Sequence, residues 1–264
     1  MRNLLVVVDN SPEATRALQM ACRFESGVRI HPIHISPPPG HDLAIGAGWA
    51  RMSWTKENMR QARKEAQDLI VSQGRTCPMI EEPVVASGDP IRSITEHFVQ
   101  GDYDMLIVGD HFRGLEPLAL ARRFFDALRK SRKDLPLLVV RNLGAIKRTL
   151  ALTDGGDASA KSLGFLNRIS PLLSEKITLL GLAGKTDTQA ATEPLILERG
   201  LAILKEKDID ADGFTAGKLG RPGLKTEMDK ADLLVYPLSS DACSHVYETF
   251  GTTLDAILFY MTQD

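Results

Sequence analysis

The sequence predicts an α/β protein made of two tandem doubly wound parallel-sheet domains. Three observations predict it. Short apolar, β-branched runs alternate with longer segments of helical period, as in Leu4 to Val8 followed by Pro12 to Phe24. The apolar runs are near-continuous rather than alternating, which fits strands buried on both faces of a parallel sheet. The whole pattern then restarts near Thr149, so a first unit of about 140 residues is followed by a shorter copy.

The elements follow in order. Leu4 to Val8 reads as a buried strand. Pro12 to Phe24 reads as a helix, with Asn10 or Ser11 as its cap and Pro12 in its first turn. Val28 to Ile35 is a second strand. Pro37-Pro38-Pro39-Gly40 opens a loop that runs to about Met52 and holds Gly46, Gly48 and Trp49, with Trp54 nearby. That loop is either a lid or partner surface, or a connector. Ser53 to Ser72 is a long amphipathic helix, Pro83 to Ala86 a strand, and Pro90 to Val99 a helix opened by Asp89. Met105 to Val108, a helix over Leu115 to Ser131 and a strand over Leu137 to Val140 complete the first domain. The basic cluster Arg129, Lys130, Arg132 and Lys133 suits a helix C-terminus in solvent.

In the second half, Thr149 to Thr153, Ile177 to Leu182, Ala211 to Thr215 and Leu233 to Tyr236 read as strands. Asp157 to Ile169, Glu193 to Lys205, Leu224 to Lys230 and Thr252 to Met261 read as helices. Asp9 and Leu18 match Asp154 and Leu163 at a shift of 145. Asp104 to Val108 match Asp232 to Tyr236 at a shift of 128. The difference is 17 residues, the length of the segment 36–52, which has no evident counterpart later. The domains are therefore drawn at 1–143 and 144–264. Because the chain stops directly after the last helical segment, the second domain is expected to lack its fifth strand, leaving a sheet edge open or covered by a partner.

Composition narrows the function classes. The chain has 264 residues, and its formal net charge is −2, which disfavours a nucleic-acid partner or an anionic membrane surface. No apolar stretch approaches the roughly 20 residues that cross a bilayer. The apolar run before Asp9 is too short for a signal peptide, so the expected location is cytoplasmic. Cys22, Cys77 and Cys243 are odd in number and lack motif spacing, so reduced thiols are expected.

Ligands of open parallel sheets bind beyond the carboxyl ends of strands. Four places fall there or at helix starts. Asp9-Asn10-Ser11 and its repeat Asp154-Gly155-Gly156 leave a strand beside a helix, either to bind a ligand or only to cap. Gly88-Asp89-Pro90 is explained by capping. Gly109-Asp110-His111-Phe112-Arg113-Gly114 follows the fourth strand, where glycine amides and Arg113 suit phosphate and a plain turn fits equally. Gly251-Thr252 opens the last helical segment, as a phosphate contact or a cap. There is no Gly-x-Ser-x-Gly elbow, no P-loop, and no metal-ligand spacing among the six histidines.

Leu5 to Ser11, Gly88-Asp89-Pro90 with Ile94, Asp104 to Gly114 and Pro136 to Val140 together resemble the universal stress proteins, over the whole first half and more loosely over the second. The resemblance implies strand order 3-2-1-4-5, two domains packed together, and a role in stress survival. Family members that bind ATP carry Gly, two residues, Gly, nine residues, Gly, then Ser or Thr. From Gly109 the later positions are Phe112, Arg122 and Arg123. Back from Gly251-Thr252 they are Asp241 and Leu238. Neither half completes the motif. Thr153 to Ser159 also resembles, loosely, the Ser-Gly-Gly-x-Asp-Ser loop of ATP pyrophosphatases. The expectation is thus a non-catalytic stress-response protein that binds a small molecule or a partner, through a homodimer or intramolecular domain pairing. ATP or AMP binding with slow hydrolysis is the alternative, and a pyrophosphatase-type enzyme the third reading. The candidate binding residues are Asp9, Gly109, Arg113, Gly114, Asp154, Gly251 and Thr252, with no metal and no cofactor by motif.

Overall fold

The computed structural model describes residues 2–24, 27–36, 49–73, 77, 79–128, 131, 133–173, 176–183, 192–238 and 254–262. The chain divides into two compact units, residues 2–132 and 133–264.

The first unit runs β1 (Asn3–Val7), α1 (Pro12–Ala21), β2 (Arg29–Ser36), α2 (Trp49–Gln73), β3 (Val84–Ser87), α3 (Pro90–Gln100), β4 (Met105–Gly109) and α4 (Pro117–Leu128). Its strands lie in the order β3-β2-β1-β4, all parallel. In β1, Leu4, Leu5 and Val6 are fully buried, because the strand has neighbours on both edges and helices on its faces. Helix starts follow local chemistry. Ser11 Oγ accepts from Ala14 N at 3.1 Å, Asp89 Oδ1 accepts from Arg92 N at 2.9 Å, and a proline occupies each first helical position. Residues 37–48, Arg129, Lys130 and Arg132 lie outside the described residues.

The second unit runs β5 (Leu135–Val140), β6 (Arg148–Thr153), α5 (Asp157–Leu166, prolonged by a 3-10 turn over Asn167–Leu172), β7 (Lys176–Gly181), α6 (Glu193–Lys205), β8 (Ala211–Thr215), α7 (Ala216–Lys230), β9 (Leu233–Pro237) and β10 (Ala256–Met261). The order is β5-β10-β9-β6-β7-β8. All neighbours are parallel except β5 and β10, which run antiparallel with Leu137 opposite Phe259. Helix α7 is interrupted at Gly220, whose φ is +60°, just before Pro222.

Two sequence expectations are corrected. The segment read as a final helix is strand β10 over Ala256–Met261, so the second sheet does have a fifth strand, parallel to β9. Six consecutive apolar residues carry no period that separates helix from strand. Shortness, and the aromatic pair Phe259-Tyr260, mark a fully buried strand, and every residue of β10 is buried. The cysteine reading is corrected too. Cys22 and Cys77 form a disulfide, with their Cα atoms 5.7 Å apart. They are 55 residues apart in sequence, and the fold joins them. Cys22 caps the end of α1, and Cys77 precedes a segment that bonds alongside β2, where Ile30 N donates to Met79 O and Glu81 N to Ile30 O. Cys243 lies outside the described residues.

A carboxylate fixes the start of each first strand. Asp104 Oδ2 accepts from Arg2 N at 2.7 Å and Asn3 N at 3.1 Å. Asp232 Oδ2 accepts from Lys147 N at 2.7 Å and Arg148 N at 2.9 Å. The same interaction thus ties β4 to β1 and β9 to β6.

Beside Asp104, Tyr103 closes the amino end of the first sheet. Its ring stacks on Phe98, meets His31 edge-on at 5.4 Å, and its hydroxyl lies 2.8 Å from His97 Nε2. Burial holds both imidazoles below the ordinary 6.5; His31 further depresses His97, and Arg29 depresses His31 against an opposing pull from Glu81. The unfolded chain therefore takes up more protons than the folded one just beneath that value. Stability held above pH 6.5 should be lost as pH falls through it, and a His31→Gln, His97→Gln variant should show a shallower loss in urea denaturation midpoints from pH 7.5 to 5. Thr149, 1% exposed, has no partner for its Oγ1 among the described residues. Thr149→Val should accordingly raise unfolding stability by about 1 kcal/mol, read by the same denaturation.

Candidate functional site

At the carboxyl end of the first sheet, β1 and β4 deliver their loops side by side. Asp9 leaves β1, and its Oδ1 accepts from Ser11 N at 2.8 Å, a turn that sets Ser11 up to cap α1. Gly109 ends β4. A Cβ there would strike the backbone carbonyl of Glu13, so glycine is required because the first turn of α1 crosses directly over it. The loop that follows is tightly wound. His111, Arg113 and Gly114 have φ of +54°, +56° and +72°, and Gly114 N donates to His111 O at 2.7 Å. Two non-glycine residues in the left-handed region within three positions mark a loop held by its surroundings. Phe112 is the anchor, buried between them.

These loops enclose a cavity of about 70 Å³ lined by Asp9, Ser11, Glu13, Asp110, His111 and Arg113, among others. Asp110 is 4% exposed and accepts from the His111 backbone N–H at 2.9 Å. The His111 imidazole lies 3.5 Å from the Asp110 carboxylate and 3.7 Å from Glu116. Glu13 pairs with Arg16 at 2.6 Å. Arg113 sits over the Phe112 ring and donates to Ile35 O at 3.4 Å.

Asp9, Glu13 and Asp110 line the space together with His111 and Arg113, Phe112 stands where a glycine would let backbone approach, and the volume is a small fraction of the roughly 300 Å³ at which ligand pockets begin. Among the described residues, no group of three or more His, Cys, Asp or Glu side chains could hold a metal.

The second unit repeats the turn with different internal partners. Asp154 Oδ1 accepts from Gly156 N at 3.0 Å and from the Ser159 hydroxyl, and Gly155 N donates to Thr153 Oγ1 at 3.2 Å. The amides that would cradle a pyrophosphate in a pyrophosphatase loop are thus occupied within the turn. Gly155 has φ +79° and faces Ile196 of α6.

Of the sequence candidates, Asp9, Gly109 and Arg113 come together in one cavity, with Gly114 closing its loop. Asp154 stands alone in the other unit. Gly251 and Thr252 lie outside the described residues. Sequence reasoning missed Glu13. Its position in the first turn of α1, two residues beyond Ser11, was the available signal.

The sequence model of the universal stress protein family matches residues 1–141. The chain belongs to the universal stress protein family. A universal stress protein from Archaeoglobus fulgidus DSM 4304 superposes with a TM-score of 0.61 at 13% identity, covering 99% of this chain and 97% of that one. A universal stress protein from Burkholderia pseudomallei matches 52% of this chain and 94% of its own at 19% identity and a TM-score of 0.34. One solved in complex with cAMP matches 52% of this chain and 95% of its own at 19% identity and a TM-score of 0.35. The first of these likenesses extends the universal stress protein fold over both units. No curated protein matches the chain. No helix among the described residues is long and apolar enough to cross a membrane.

The close approach at Gly109 gives a direct check. Gly109→Ala must push α1 off β4 and should cost about 2 kcal/mol of unfolding stability. Gly114→Ala meets no neighbouring atom and should cost only about 1 kcal/mol for its left-handed backbone. Equal midpoints in a guanidinium titration of the two variants would contradict the packing account.

Proposed function

We propose that this universal stress protein is a non-catalytic stress-response protein of the cytoplasm that acts by binding a small ligand or a protein partner, with tandem copies of one domain over 1–143 and 144–264. The observation that carries this reading is the cavity at the ends of β1 and β4, small and ringed by Asp9, Glu13 and Asp110. Carboxylates so placed receive donors and repel phosphate chains. Among the described residues, none near them forms an activated nucleophile: Ser11 is spent as a helix cap, and His111 approaches carboxylates rather than a hydroxyl or thiol. The internally bonded turn at Asp154 supports the same reading in the second unit. In a cytoplasmic setting, the Cys22–Cys77 bond is open to reduction by the thiol pool.

Native mass spectrometry of freshly purified protein, followed by ATP titration and a phosphate-release assay, tests this. The expected outcome is a species free of nucleotide, unmoved by millimolar ATP, with no release above a buffer blank. A mass increment of ATP or AMP, or steady phosphate release, would replace it with the nucleotide-binding reading.

A further inference from the structure

The two carboxylate anchors put the halves of the chain into strict correspondence at the amino ends of their strands. Asp104 holds Arg2 and Asn3; Asp232 holds Lys147 and Arg148. Tyr103, just before the first anchor, corresponds to Ala231, just before the second. Register carries the correspondence further. Leu5 lies opposite His31 in β2, and its counterpart Leu150 lies opposite Thr178 in β7. The first unit thus fills this corner with the Tyr103 ring, wedged against Phe98 and His31. The second unit has Ala231 and Thr178 there, and the corner is a cavity of about 200 Å³.

The cavity lies under the last turns of α7, at the opposite end of the sheet from the loops described above. Arg148, Leu150, Thr178, Asp212 and Phe214 share the sheet face that α7 covers, since Leu150, Thr178 and Asp212 stand in one row and residues two apart share a face. Two kinds of wall meet. Leu150, Phe214 and Ala231 form an apolar floor the size of a missing side chain. Arg148 and Asp212 from the strands, with Glu227 and Lys230 from α7, form a rim of balanced charge, and Lys230 lies 2.8 Å from Glu227.

We propose that this cavity binds a small zwitterion with an apolar side group, that is, a free α-amino acid of aromatic or branched aliphatic type. The apolar group takes the place that Tyr103 takes in the first unit. The Arg148 guanidinium receives the carboxylate in its fork geometry. Asp212 and Glu227 accept from the ammonium, and the Thr178 hydroxyl completes the polar ring. Balanced rim charge selects against phosphates and polyamines alike. A volume below the roughly 300 Å³ of drug-sized pockets limits the ligand to this scale. The proposal is independent of the cavity at Asp9 and survives or fails separately from it.

Calorimetric titration and ligand-observed NMR with L-phenylalanine, L-tyrosine and L-leucine test the site in the intact chain. Binding of at least one is expected, with 3-phenylpropionate and phenethylamine, each lacking one charge, weaker by about tenfold. Ala231→Tyr supplies the missing plug and should abolish binding. Arg148→Gln should weaken the amino acid by about tenfold while leaving phenethylamine unchanged. Should Ala231→Tyr fail to fold by circular dichroism, Ala231→Leu and Arg148→Gln decide the matter. Silence of all three amino acids at millimolar concentration, binding that persists in a folded plugged variant, or equal affinity for the single-charge analogues would overturn the proposal.

Discussion

Both units depend on a first strand that is paired along both edges. Strand β1 lies between β2 and β4, and β6 between β7 and β9. A parallel strand in that position shows no face to water, so its backbone polar groups must be met by neighbours and its side chains must be apolar. The aspartate before β4 and the one before β9 finish that pairing where the ladder begins. Each carboxylate receives two successive amides that no strand could reach, and so sets where the first strand starts relative to the fourth. Helix starts, loop exits and the ligand-facing ends of the sheet all take their positions from that register.

The two ends of the sheet have been put to different uses. At the carboxyl end, α1 crosses so close to β4 that only glycine is accommodated at 109, and the space left is small and lined with carboxylates. The fold alone would have suggested a phosphate cradle there. Asp9, Glu13 and Asp110 line it beside Arg113 and His111. At the amino end, packing decides. Where Tyr103 stands, its ring packs on Phe98 and His31, and where Ala231 stands the same corner is a cavity.

Most of the architecture was legible in the sequence because buried parallel strands write themselves as apolar runs and capped helices announce their starts with Ser11-Pro12 and Asp89-Pro90. The internal repeat was legible from two matched aspartates. What escaped has physical reasons. Strand β10 is an unbroken apolar run, for which period carries no information. The Cys22–Cys77 link joins positions that only the course of β2 brings together. At the site, Asp9, Gly109 and Arg113 could be named because they sit at strand ends. Glu13 carried only the weak signal of its place in the first turn of α1, because its nearness to the cavity comes from how α1 packs over Gly109. The corner at Ala231 was invisible, since a small residue leaves no signal until the space around it is seen.

The pairing of β5 with β10 has a further meaning. Both strands lie in the second unit, and they bond to each other antiparallel. A contact between segments of one chain is governed by the tether and not by protein concentration, so dilution does not dissolve it. A homodimer built from one gene product must carry every substitution twice, on both sides of its axis. A covalently joined pair is freed from that symmetry. One repeat can keep a tyrosine at its corner while the other has alanine there and charge around the gap.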